Sequence, residues 1–211
     1  FWFVYDAISR IFGFRENGEA WVGGLMFIVV AFSCWLTCQL FAGRAAFLIV
    51  GAMIATAMSA NVFFWIIPGQ RKVVAAMTSG KTYDPMEMAI HGKRGKQRSV
   101  HNTYFTLPVL FAMLSNHYSF LYTHEMHWLI LLLMMMAGAL IRQFFVQRHA
   151  WHHQRAANPW PFAAVGVAII IGVVVWLRPA PAPVPSAAPA AATLARVQTI
   201  VAQHCVSCHG E

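Results

Sequence analysis

The chain has 211 residues, 59% of them hydrophobic and only 10% charged, with a formal net charge of +8. That balance excludes an ordinary water-soluble domain and points to an all-α integral membrane helix bundle. The basic residues lie between apolar runs, where membrane topology accounts for them, so nucleic acid is excluded as the partner they serve.

The chain begins at Phe1, with no initiator methionine and no charged n-region ahead of an apolar h-region, which leads us to expect a piece of a longer protein. Residues 1–14, FWFVYDAISRIFGF, read as the end of an earlier helix or as an interfacial segment. Five apolar runs follow, at about 21–42, 45–67, 103–122, 127–146 and 160–177. At about 1.5 Å per residue each is long enough, or nearly so, to cross roughly 30 Å of hydrocarbon. Trp160 and Trp176 bracket the last run, as expected of rings that favour the headgroup layer. Cys34 and Cys38, one turn apart in the first run, read as buried packing residues, and Met134, Met135 and Met136 as core or lipid-facing filler.

If the runs alternate in direction, most basic residues fall on one side. These are Arg10 and Arg15, then Arg71, Lys72, Lys81, Lys93, Arg94, Lys96 and Arg98 in the 68–100 segment, read as a loop, and Arg142, Arg148 and Arg155. Arg44, Arg178 and Arg196 remain for the other side. The expectation is a multi-pass protein with the 68–100 loop cytoplasmic and the C-terminal tail outside.

Polar residues at membrane depth are costly and mark candidate sites. Asn61 lies within the second run, His101 and Asn102 stand at the inner end of the third, and Asn116 and His117 near its outer end. His101 and His117 stand about 24 Å apart along a helix and cannot ligate one metal. His124 and His127 are one turn apart, and HAWHH sets His149, His152 and His153 on one helical face. That pattern resembles one histidine box of membrane di-iron desaturases. A single box is too few for that chemistry, and a solvated basic helix end is the preferred reading.

Past the last run, RPAPAPVPSAAPAAAT at 178–193 reads as a semi-rigid tether, because prolines favour extended polyproline II and small side chains make no core. Leu194, Val197, Ile200 and Val201 then have helical spacing. The chain ends on CVSCHGE, in which Cys205 and Cys208 suit thioether bonds to haem vinyl groups and His209 suits the axial position on the iron. The reading is one covalent haem c on the start of an all-α cytochrome c domain, with the distal ligand elsewhere. The alternatives are a disulfide or half a zinc site, and zinc would need further ligands.

Three runs carry a resemblance: PGQRKVVAAM, GKRGKQRSVHNTYFTLPVLFAMLSNHY, and the Ala/Pro tether ending in Cys-x-x-Cys-His. From about residue 21 onward they resemble the bacterial membrane-bound urate oxidase, or urate hydroxylase, family, which fuses a membrane domain to a C-terminal cytochrome c. The resemblance implies a piece lacking the first helices and most of the haem domain. It also implies oxidation of urate to 5-hydroxyisourate in the bacterial inner membrane, with electrons leaving through the haem to a respiratory-chain acceptor instead of forming hydrogen peroxide.

Urate is a flat anion with an edge of donors and acceptors, so an Arg fork, amide side chains and a proton-accepting His suit it. Arg98, Gln97, His101 and Asn102 offer that set, and Gln70 with Arg71 offers a second group. The basic residues serve topology equally well, and for Lys81, Lys93, Arg94 and Lys96 that is the preferred reading. A cytoplasmic urate site and an outer haem would be separated by roughly 30 Å of bilayer. The sequence leaves two answers open: a further membrane-bound carrier, with His117, His124 or His127 as ligands, or a site nearer the outer face around Asn116 and His117. The alternative function is a non-catalytic cytochrome-bearing subunit relaying electrons between quinol and a respiratory complex.

Overall fold

The computed structural model describes residues 1–79, 82, 84–178 and 194–204, the side chain of His204 excepted. Among these residues all regular structure is helical. The chain divides into two units, Phe1–Leu177 and Arg178–Glu211.

In the first unit, α1 (Trp2–Phe12) buries Tyr5, Asp6 and Ser9, a face repeating at helical spacing. Asn17, with φ at 55°, turns the chain into α2 (Gly18–Leu40). Asparagine tolerates this left-handed region better than most residues. Gly43, at φ 54°, makes the next turn, where a side chain would be strained, and α3 (Arg44–Asn61) begins. The helix does not stop at Pro68. A π-helical turn, Val62–Ile66, carries it into α4 (Ile67–Thr78). Proline lacks an N–H and crowds the carbonyl four residues back, and a widened turn relieves that conflict without ending the helix.

The 68–100 segment, expected as a loop, is therefore mostly helical: α4 fills its first part, and α5 (Pro85–Leu114) starts well before the third run. The start of α5 is signalled locally. The Asp84 side chain accepts a bond from the Met86 N–H at 2.9 Å, Pro85 takes the first helical position and Glu87 lies in the first turn. The third run is likewise split, since α5 ends at Leu114 and a 3₁₀ turn, Ser115–His117, leads to the short α6 (Ser119–Tyr122). Then come α7 (His127–His152) and α8 (Trp160–Trp176).

Three helices, Gly18–Leu40, Arg44–Thr78 and His127–His152, are long and apolar enough to cross a membrane, and α8 is a shorter apolar helix. Much of their apolar surface faces outward: Trp21, Ile28, Phe63, Ile171 and Val174 are exposed. In water such a surface would aggregate, whereas hydrocarbon solvates it.

The apolar core lies away from the polar residues of α1. Phe47, Val50 and Ile54 of α3 meet Ala112 of α5 and Ile130, Leu131 and Met135 of α7, with Cys34 and Cys38 of α2 packed among them as free thiols. Small residues bring the helices close. A Cβ on Gly138 of α7 would lie 3.1 Å from Leu107 Cβ and 3.3 Å from Pro108 Cδ of α5. One on Gly166 of α8 would lie 3.0 Å from the Ala137 carbonyl.

In the second unit, α9 (Leu194–His204) occupies the stretch where Leu194, Val197, Ile200 and Val201 predict a helix. Most of the tether and all of CVSCHGE, with Cys205, Cys208 and His209, lie outside the described residues.

Candidate active site

At one end of the first unit, α1, the start of α2, the π turn and the first half of α5 place polar side chains together in a buried network. Gln97, Arg98 and His101 lie one turn apart or less along α5 and are all buried, although Lys93, Arg94 and Lys96 beside them are exposed. Their partners come from α1 and α2.

Arg98 Nη2 donates to Asp6 Oδ1 at 2.8 Å, with only 4% and 8% of the two side chains exposed. Asp6 also accepts from Trp65 Nε1 at 2.8 Å and pairs with Arg10 Nε at 2.7 Å. The Arg98 guanidinium lies 4.8 Å from the Tyr5 ring centre and 5.4 Å from that of Trp65, so its faces rest on aromatic rings.

His101 sits between two partners. Its Nδ1 is 2.9 Å from the Tyr5 hydroxyl and its Nε2 is 2.8 Å from Glu19 Oε2. The chemistry of the neighbours assigns the protons. Trp2 Nε1 donates to Asn61 Oδ1, so the Asn61 amide nitrogen faces the other way. That nitrogen donates to the Tyr5 oxygen at 3.1 Å and to Asn102 Oδ1 at 2.9 Å, and Asn102 donates in turn to the Met58 carbonyl at 3.0 Å. The Tyr5 oxygen is then an acceptor whose own proton points to His101 Nδ1, and His101 in its neutral form donates from Nε2 to Glu19. In α1, ahead of the spans, burial pushes the Tyr5 hydroxyl above its ordinary pKa, an effect the Arg98 charge and nearby hydrogen bonds oppose. The hydroxyl stays protonated and keeps its role as donor. Gln97 completes the array, donating to the other Glu19 oxygen and to the Gly13 carbonyl, each at 2.8 Å.

A cavity of about 780 Å³ opens beside this array. Tyr5, Glu19, Gln97, His101 and Tyr104 line it together with the apolar Val22, Met26, Val100, Phe105 and Val146. Tyr104 donates to Gln143, which fixes a further polar edge. Such a space admits a flat molecule with one polar edge, and the relay from Tyr5 through His101 to the largely exposed Glu19 carboxylate can carry a proton away from it.

The residues singled out in the sequence separate here. Gln97 and His101 face the large cavity, whereas Arg98 turns toward Asp6 and a smaller cavity, and Asn102 bonds behind the wall to Asn61. Gln70 lines a third cavity with His91, and Arg71 is exposed. His117 is exposed in the 3₁₀ turn, and Asn116 bonds to the Met113 carbonyl of its own turn. His124 accepts from the Met126 N–H and His127 bonds to the His124 carbonyl, while His149, His152 and His153 are exposed. Among the described residues no group of three or more His, Cys, Asp or Glu side chains is placed to hold a metal ion. Tyr5, Asp6, Glu19 and Trp65 were not foreseen. The available signal was chemical: Asp6 stands alone as an acid inside the aromatic run FWFVYDAISRIFGF, where a carboxylate needs a partner.

The family model described as urate oxidase N-terminal matches residues 1–178, which include every member of this network. Searches of curated proteins and of solved structures return no match. The chain belongs to the urate oxidase N-terminal family.

Proposed function

We propose that this chain carries out membrane-bound oxidation of urate to 5-hydroxyisourate, with the electrons passed through a c-type haem to the respiratory chain and no hydrogen peroxide formed. The observation that carries this reading is His101, held between Tyr5 and Glu19 at the wall of a cavity large enough for a purine, in a chain of the urate oxidase N-terminal family.

Urate and water give 5-hydroxyisourate, two electrons and two protons, so the site needs a proton acceptor with an exit. Tyr5 takes the proton from the substrate as it gives its own to His101 Nδ1, and His101 passes its Nε2 proton to Glu19, whose side chain is 65% exposed. Gln97 and Tyr104 present polar groups to the purine edge, and Lys93 and Lys96 at the cavity favour an anion. Arg98 and Asn102 act from behind, Arg98 by neutralising Asp6 and Asn102 by fixing Asn61 and through it Tyr5. His117, on the 3₁₀ turn sixteen residues along, has no part at this cavity and remains available to an additional redox carrier. Cys205, Cys208 and His209 would hold the haem, which supplies one-electron acceptance when bound. In this reading the second half of α5 and α8 also lie in the bilayer, giving five spans, with the 68–100 segment cytoplasmic and the tail periplasmic.

The test is the absorbance of the haem in membranes carrying the protein, without oxygen, before and after urate is added. Reduction by urate that is lost in Cys205→Ser/Cys208→Ser and slowed in His101→Gln supports the proposal. A haem that stays oxidised with urate yet is reduced by a quinol refutes it in favour of a relay.

A further inference from the structure

The smaller cavity beside Arg98 has no role in the chemistry above. It measures about 150 Å³ and is lined by Ser9, Arg10, Trp65, Arg94 and Arg98, with Gln97 and Phe14 separating it from the large cavity. Three guanidinium groups converge there against one carboxylate, Asp6, which already holds Arg98 and Arg10. Glu19, the other nearby acid, is taken up by His101 and Gln97. Arg94 has no ion pair among the described residues; its guanidinium lies 5.9 Å from the ring centres of Phe14 and Trp65.

Two buried donors are also left over. Arg98 is 3% exposed, yet its Nη1 makes no hydrogen bond, and Ser9 Oγ, which reaches only toward the Tyr5 hydroxyl, makes no well-formed one. A buried charged donor without an acceptor is costly, and native structures rarely leave one so. Arg98 and Ser9 both line this cavity, so an acceptor placed there removes both defects.

We infer that the cavity between α1, the π turn and α5 is a binding site for a small oxyanion of the phosphate or carbonate class, held by Arg98, Arg94, Arg10 and the Ser9 hydroxyl. A guanidinium fork matches two oxygens of such an anion and a hydroxyl supplies a third donor, whereas a halide would satisfy fewer of them. The excess of positive charge sets the sign of the ligand, and the cavity volume limits it to a few heavy atoms or a single headgroup phosphate. The bound anion ties α1 to α5 directly behind His101. The site does not depend on urate being the substrate.

The experiment follows thermal unfolding of the protein in phosphatidylcholine nanodiscs by circular dichroism, as inorganic phosphate replaces chloride at constant ionic strength. The expected result is a saturable rise in the unfolding midpoint, with the phosphate concentration for half effect at least about tenfold higher in Arg94→Gln and also raised in Ser9→Ala. Arg94 is exposed, so its variant is expected to fold. Repeating the titration in phosphatidylglycerol nanodiscs identifies the source. A midpoint already raised there, unresponsive to phosphate and lowered by Arg94→Gln, assigns the site to lipid headgroups. A preserved phosphate response assigns it to the free ion. No phosphate response and no Arg94-dependent shift in either bilayer overturns the inference, as does a response of equal size in the wild type and both variants.

Discussion

Replacing Asp6 by Asn tests whether the ion pair with Arg98 is what holds α1 to α5. The carboxylate and guanidinium are 2.8 Å apart with 8% and 4% of their side chains exposed, so they belong with buried pairs rather than surface ones. Asparagine keeps the shape and one oxygen for Arg98 and Trp65 Nε1, and loses the charge together with the acceptor that faces the exposed Arg10. Removing one member of such a pair leaves the other uncompensated, at a cost of about 3–5 kcal/mol. Arg10, whose side chain is 61% exposed, pairs with the same carboxylate, yet Arg10→Gln should cost no more than about 1 kcal/mol because solvent already screens that charge. Reversible SDS or urea unfolding in mixed micelles would give both values. The double variant Asp6→Asn/Arg98→Leu should recover much of the loss, since it removes the stranded charge. An Asp6→Asn penalty below about 1 kcal/mol, or one no larger than that of Arg10→Gln, would show that the pair is not a determinant of this packing.

Other expectations follow from contacts at the same end of the unit. Gly13→Ala would put a Cβ 2.5 Å from Gln97 Nε2 and 2.4 Å from the Ser9 carbonyl, so Gln97 must leave Glu19; we expect a loss of about 1–3 kcal/mol in unfolding free energy and a raised KM for urate. His101→Gln should slow urate-dependent haem reduction by about 100-fold or more, and Glu19→Gln by less, in stopped-flow absorbance under anaerobic conditions. An unchanged rate in His101→Gln would remove it as the proton acceptor. Gly138→Val would drive α7 away from Leu107 and Pro108 of α5, costing about 1–3 kcal/mol in the same unfolding assay without altering the relay.

The sequence was most legible where one physical rule acted alone. Apolar length located α2, α3 and α7, because no other fold buries such runs. Residues Gln97, Arg98, His101 and Asn102 were visible as polar groups at the edge of an apolar run. The boundaries failed where two rules competed. Pro68 reads as a stop, but a helix already made by nearly twenty apolar positions absorbs it through a π turn. The start of α5 was legible in Asp84-Pro85-x-Glu87 and was masked by the charged residues that follow it. The partners of the site could not be read at all: nothing local says that Asp6 meets Arg98 across 92 positions, or that Tyr5 meets His101 across 96. Only packing decides that.

The π turn also bears on how this chain can change length. Phe47, Val50, Ile54, Ala57 and Asn61 form one buried stripe along α3. At 3.6 residues per turn, a regular helix would bring Pro68 to that stripe two turns after Asn61. The buried position is instead Gly69, which packs against the His91 backbone of α5. The helix thus contains one residue more than its two packed ends require, and Phe63 and Phe64, which sit in the turn, are exposed. Deleting either of them would restore ordinary helical spacing and keep the His91 contact, although a deletion anywhere in 46–61 would rotate the core stripe by about 100°. Loss of a single residue there would thus spare the core stripe and bring back only the conflict between Pro68 and the carbonyl four residues before it, about 3 kcal/mol.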